Sequence, residues 1–385
     1  MIYFDNAATG GFKAYSVQEV VSSAVRYLNA NPTRSGHKLA AAGGDAVFRT
    51  RKLLSDTFNN GSLERTIFTK NCTEALNTAI FGTLKEGDGV IYTCMEHNSV
   101  IRPVHKLLSR GVKAKCVFSK ETAFFPQKHA ITFADIEPYI TADTRLVITN
   151  QASNVNGQTA DVHAIGMALK KNYPDVIYMV DGAQSGGHVP IDMCADGIDI
   201  LCLAGHKGLG GIMGSGALLF TDKCDIEPLT FGGTGTESFN PDQPDCYPER
   251  LESGTLNLPA IIALYEGVQY VYSVMQDSEK YLTQLTKAAV EGLENLPGVR
   301  TYSSPNPFGI VAFEVDAVPS QECSEILSSS YDIAVRGGFH CAPLMHEYLH
   351  TEKNGLVRIS LSNKNTFKDL NAFLAAMAEI CKTMR

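Results

Sequence analysis

The chain has 385 residues, 44% of them apolar and 19% charged, with a formal net charge of -8. That length suits two domains of ordinary size with a cleft between them, and the composition excludes a disordered chain. An acidic balance without any basic run lacks the electrostatic footprint of a nucleic-acid or anionic-membrane partner, and leaves a small molecule as the expected ligand.

The start, Met1-Ile-Tyr-Phe-Asp-Asn, has no basic segment ahead of an apolar core. No apolar run reaches the roughly eighteen residues needed to span a bilayer, so a cytoplasmic protein without a membrane partner is expected. Ten cysteines are scattered along the chain without a C-x-x-C pair or a Cys/His zinc spacing. A reducing compartment permits that pattern, and no metal site is expected.

In chain order, β-rich runs at 65–69, 89–93, 145–149, 176–180, 198–203 and 216–220 alternate with helical stretches. Near-continuous apolar strands separated by helices predict a sheet covered on both faces, hence an α/β architecture. Polar residues cluster directly after these strands, where such sheets bind ligands. Residues 259–296 read as long helices, with Ile261, Leu264, Val268 and Val271 at helical spacing. Strand candidates at 308–313, 333–335 and 356–360 and a final helix over 367–384 follow, which predicts a second domain from about residue 258.

Lys207 follows an apolar strand and enters a glycine-rich turn, Gly205-His206-Lys207-Gly208-Leu-Gly210. A lysine at a strand end inside a cleft loses hydration, and its free amine becomes able to condense with an aldehyde. By itself it reads more readily as a surface loop lysine. The turn breaks the dinucleotide fingerprint at Met213, and no P-loop pattern is present, which argues against NAD and ATP.

Asp181, at the end of the preceding strand, suits an anion set against a pyridine nitrogen, although an Asp there also caps helices. The stretch Asn71-Cys72-Thr73-Glu74 opens a helix whose backbone N–H groups and Thr73 hydroxyl suit a phosphate. His97, after the strand at 89–93, could stack on a flat ring or be a loop histidine.

Taken in order, these residues resemble the class V aminotransferase superfamily of fold-type I pyridoxal 5'-phosphate (PLP) enzymes. Within it they are most similar to the cysteine desulfurases of the group that includes SufS and selenocysteine lyase. The similarity also runs through Tyr3-Phe-Asp-Asn-Ala-Ala-Thr9, the 31–37 stretch Asn-Pro-Thr-Arg-Ser-Gly-His, Ser153-Asn154-Val-Asn-Gly157, Glu252-Ser-Gly-Thr255 and Arg336-Gly-Gly-Phe-His-Cys341-Ala-Pro-Leu. The resemblance implies a large PLP-binding domain over 13–257, with a mainly parallel sheet. A smaller α+β domain over 258–385 would be joined by residues 1–12.

The resemblance further implies that Lys207 carries PLP as a Schiff base, Asp181 pairs with the pyridine nitrogen and Gln184 bonds the phenolic oxygen. His97 would stack on the ring and assist proton transfer. Cys72 would also contact the cofactor, and Thr73 and His206 would hold the phosphate, with Thr255 reaching it from the other subunit of a homodimer. Asn154 and Arg358 would hold the substrate carboxylate, a task that suits a guanidinium fork. Cys341 would be the nucleophile, and a cation such as Arg336 would raise the thiolate fraction of a thiol whose reference pKa is about 8.5.

The implied reaction turns L-cysteine into L-alanine and leaves a persulfide on Cys341 for a sulfur acceptor, as in iron–sulfur cluster assembly. Selenocysteine lyase or cysteine sulfinate desulfinase chemistry, or another class V aminotransferase-type reaction, on the same scaffold is the nearest alternative, and a non-catalytic PLP-fold sulfur-relay scaffold is a further one. Two departures stand out. Ala204 replaces the family's serine two positions before His206, and Phe339 replaces the first histidine of His-His-Cys-Ala.

Overall fold

A computed structural model describes residues 1–32, 36–119, 130–316 and 318–383. Residues 33–35 of the 31–37 stretch, and Met384 at the end of the expected last helix, lie outside the described residues.

The chain enters through β1 (Ile2–Tyr3) and the helices α1 (Tyr15–Tyr27) and α2 (Lys38–Phe58). It then alternates β2 (Thr66–Thr69), α3 (Cys72–Thr83), β3 (Gly89–Thr93), α4 (Asn98–Leu108), β4 (Lys113–Val117), α5 (Phe133–Ile136), β5 (Thr144–Asn150) and α6 (Val162–Asn172). The strands β6 (Ile177–Asp181), β7 (Ile200–Ala204) and β8 (Gly216–Phe220) complete one seven-stranded sheet in the order β2-β8-β7-β6-β5-β3-β4. Only β8 runs antiparallel to its neighbours.

Every residue of β6, β7 and β8 is buried. Their unbroken apolar runs therefore have helices on both faces, and two buried side-chain clusters flank the sheet. β4 was not legible as a strand. Its Lys113 and Lys115 are exposed at the sheet's edge, where charge blocks further strand pairing.

After a long irregular segment the chain forms α7 (Leu258–Glu294), β9 (Val299–Thr301), β10 (Ile310–Val315), α8 (Ser320–Tyr331), β11 (Ile333–Ala334), β12 (Arg336–Gly338), α9 (Pro343–Leu349), β13 (Leu356–Ser360) and α10 (Phe367–Thr383). The second sheet is antiparallel in the order β12-β13-β10-β9. The expected long helices are one unbroken helix of 37 residues. Leu258, Ile261, Leu264 and Val268 at its start join the core of the large sheet, whereas Leu282, Leu285 and Leu293 join the core of the small one. One rigid rod thus couples both cores, because its apolar stripe persists across ten turns.

The N-terminal strand pairs in parallel with β11, and Asp5 bridges to Ser360 beyond it. Among the described residues no helix is long and apolar enough to cross a membrane.

Candidate active site

The C-terminal ends of β5, β6 and β7 open into a cleft of about 80 Å³. Cys72, Thr73, His97, Asn154, Asp181, Gln184, His206 and Lys207 all line it. The parallel register sets Asn150 beside Asp181 and Asp181 beside Cys202, which fixes where the carboxylate stands at the sheet's edge.

Lys207 leaves β7 in a turn packed against its surroundings: a Cβ on Gly208 would collide with the Gly186 carbonyl and, at 2.7 Å, with the His188 ring. Burial lowers the Lys207 pKa below the usual lysine value, with Asp181 opposing that shift. Burial likewise raises the Asp181 pKa, opposed by the Ala183 N–H, Lys207 and Cys72. Asp181 Oδ1 accepts from Ala183 N at 2.9 Å and from Cys72 Sγ at 3.5 Å. Both contacts fall on one oxygen, so Oδ2 is left for a donor in the cleft.

The N-cap of α3 is Asn71, whose side chain accepts from Glu74 N at 2.9 Å. The N–H groups of Cys72 and Thr73 precede that contact and have no intrahelical acceptor, so they suit an anion. Gly216 on β8 permits the close approach of this turn, since a Cβ there would lie 2.6 Å from the Asn71 carbonyl carbon.

His97 caps α4, with Nδ1 accepting from Ser99 N at 3.0 Å. That bond puts the ring proton on Nε2. Ser99 Oγ lies 2.8 Å from His97 Nδ1 and 2.8 Å from Thr73 Oγ1, so a hydroxyl chain ties the ring to the helix start of α3. Burial, then Lys207 and nearby arginines, push the His97 pKa down to about 4, and the ring is neutral near pH 7. His206 is held at about 4 by the same causes, burial first and then Lys207 and Lys13; its Nδ1 meets Thr9 Oγ1 at 3.1 Å.

Arg358 on β13 is 1% exposed. Its Nη1 donates to Asn154 O at 2.8 Å and its Nη2 to Asp5 Oδ1 at 2.8 Å, while Nε is buried without a partner. Asn154 donates from Nδ2 to His340 O at 2.7 Å, and its buried Oδ1 is unpaired. Gln184 donates to Ala7 O at 3.1 Å.

Cys341 is exposed and sits with Thr73 and His97 around an adjoining cavity. His340 and Cys341 both adopt left-handed backbone, at φ 50° and 59°. Two consecutive non-glycine residues there cost about 1 kcal/mol each or more, so other contacts hold the turn. Those contacts are Asn98 N to Cys341 O at 2.8 Å and Asn154 to His340 O. Arg336 Nη2 lies 3.7 Å from Cys341 Sγ.

Thr255 is the one expected residue that does not join this group; it lines a separate cavity with Phe68, Thr69 and Gly216. Ser99, Asp5 and Asn150 were not assigned roles from the sequence. Ser99 and Asn150 do lie in polar stretches directly after strands, the signal that located their neighbours.

The arrangement fits PLP in its donor set: a desolvated amine, a carboxylate oxygen free toward the cleft, a neutral imidazole and the anion-binding start of α3. Comparison with known proteins agrees. The family model for aminotransferase class-V matches residues 2–373. A probable cysteine desulfurase of Pyrococcus abyssi is 31% identical over 100% of this chain and 95% of its own. One from Methanothermobacter thermautotrophicus is 29% identical over 98% of this chain and 94% of its own. The apo structure of a cysteine desulfurase from Thermococcus onnurineus NA1 superposes with a TM-score of 0.88 at 30% identity, covering 99% of this chain and 95% of that one.

Proposed function

The chain belongs to the aminotransferase class-V family, and on that premise we propose that it is a PLP-dependent cysteine desulfurase whose sulfur-accepting nucleophile is Cys341. One observation carries the reading: Lys207, Asp181 and His97 converge in one cleft, and Cys341 opens onto the cavity that shares Thr73 and His97 with it.

Bound PLP supplies an aldehyde for the Lys207 amine and an electron-withdrawing ring that acidifies the substrate's Cα proton. With PLP bound, Asp181 would accept from the ring nitrogen, and the N-terminus of α3 with Thr73 and His206 would hold the phosphate. Neutral His97 would pack against the ring and keep its Nε2 proton available. Lys207, its ammonium destabilised by burial, takes the Cα proton and returns it. Asn154 and Arg358 orient the carboxylate.

The Cys341 thiolate attacks the substrate sulfur. A sulfur–sulfur bond forms, the carbon–sulfur bond breaks with its pair retained on carbon, and protonation of that carbon gives alanine. Arg336 offers a charge-assisted contact to the thiolate.

A homodimer is part of the proposal. Thr255 does not line the cleft of its own chain, so it can serve a phosphate only in another copy. Exposed Met213, Phe231 and Phe239 supply apolar surface for such contact. Ten free cysteines fit a reducing, cytoplasmic setting.

Protein purified with PLP is expected to show the visible absorbance of the bound cofactor and to release alanine from L-cysteine, and Lys207→Ala to lose both. A colourless wild type that releases no alanine overturns the reading.

A further inference from the structure

The cavity beside Cys341 measures about 460 Å³ and is open to solvent. Its lining includes Arg102 and Lys106, one turn apart on α4, and no carboxylate. Both are exposed, and neither has an ion-pair partner among the described residues. Arg336 adds a third cation at Cys341 Sγ. Such a cluster is unusual on a chain of formal charge -8. The dipole of α4 accounts for Lys106 in its last turn but not for Arg102 near its middle.

We propose that this vestibule takes a small thiol bearing carboxylate groups as the acceptor of the sulfur on Cys341, a proposal that rests on the desulfurase reading. Its volume is that of a small-molecule site, whereas a protein acceptor needs a broad face of roughly 800 Å². Arg102 and Lys106 hold the carboxylates and draw the anion in. The acceptor thiolate attacks the outer sulfur of the Cys341 persulfide, and a new sulfur–sulfur bond forms. The Sγ–sulfur bond breaks with its electron pair going to Sγ, and Arg336 faces the thiolate that results. The exchange needs no external oxidant or reductant.

The test follows discharge of a Cys341 persulfide by mercaptosuccinate, 2-mercaptoethanol and cysteamine at equal thiolate concentration. Exposed Cys194 and Cys246 are replaced by serine to remove background. Loading comes from L-cysteine, or from inorganic polysulfide if L-cysteine leaves no persulfide, so failure of the desulfurase reading is seen separately. Mercaptosuccinate is expected to discharge Cys341 about 10-fold faster than 2-mercaptoethanol or more, and cysteamine slowest. The Arg102→Gln/Lys106→Gln variant, changed only at exposed positions, is expected to bring the ratio toward unity, as is added salt. Equal rates for the three thiols, or a preference for mercaptosuccinate unchanged in the double variant, overturn the proposal.

Discussion

Arg358 Nη2 meets Asp5 Oδ1 at 2.8 Å, so the guanidinium best suited to a substrate carboxylate already faces one from the chain's own first loop. The contact closes the N-terminal segment onto β13, next to the bridge between Asp5 and Ser360. Arg358 is buried while Asp5 is only partly so, and losing the anion leaves the buried cation short of a partner.

Asp5→Asn is therefore expected to lower stability by about 3 kcal/mol, read from the urea midpoint. A change within about 0.5 kcal/mol would be that of an ordinary surface site. Arg358→Lys, which loses the planar fork, is expected to raise KM for L-cysteine with the cofactor's absorbance retained.

Much of this arrangement was legible in the residues. The strands that build the sheet are apolar without interruption, and Asp181 and Lys207 stand where such strands end. Asp5 was not legible as the partner of Arg358, because 353 residues separate them and pairing across a fold leaves no local pattern. β4 was hidden by its exposed lysines and β12 by its glycines, since edge position and close packing override strand propensity. Thr255 could be matched to a motif, but a motif does not tell which copy's cleft it serves.

Glu96 and His97 are neighbours in sequence and set opposite pH dependences. Burial raises the Glu96 pKa from 4.5 to about 8; Oε1 accepts from Thr93 and the Asn150 N–H, and Oε2 is buried without a partner. Its contribution to stability is full below pH 4.5 and is lost as pH rises through about 8. The His97 pKa is lowered from 6.5 to about 4, so its contribution is full above pH 6.5 and is lost as pH falls through about 4. Denaturation across this range should find Glu96→Gln flatter than wild type on the alkaline side and His97→Asn flatter on the acid side. Parallel curves for all three proteins would contradict both assignments.

The left-handed turn at His340 and Cys341 depends on Asn154, whose amide holds the His340 carbonyl at 2.7 Å. Asn154→Ala is expected to free the turn, slow sulfur transfer to Cys341 at least about 10-fold, and raise hydrogen exchange in the turn. Unchanged exchange in the turn would show that Asn98 N and the His340 ring on Leu356 O hold it without Asn154.

The most direct test of the account is a single turnover with L-cysteine and no added thiol, followed by mass spectrometry of the protein. One sulfur is expected on Cys341 for each alanine released by wild type, and Cys341→Ala, which keeps PLP, is expected to carry none and to release little alanine. Equal alanine from both proteins, with no sulfur on Cys341, would contradict the account.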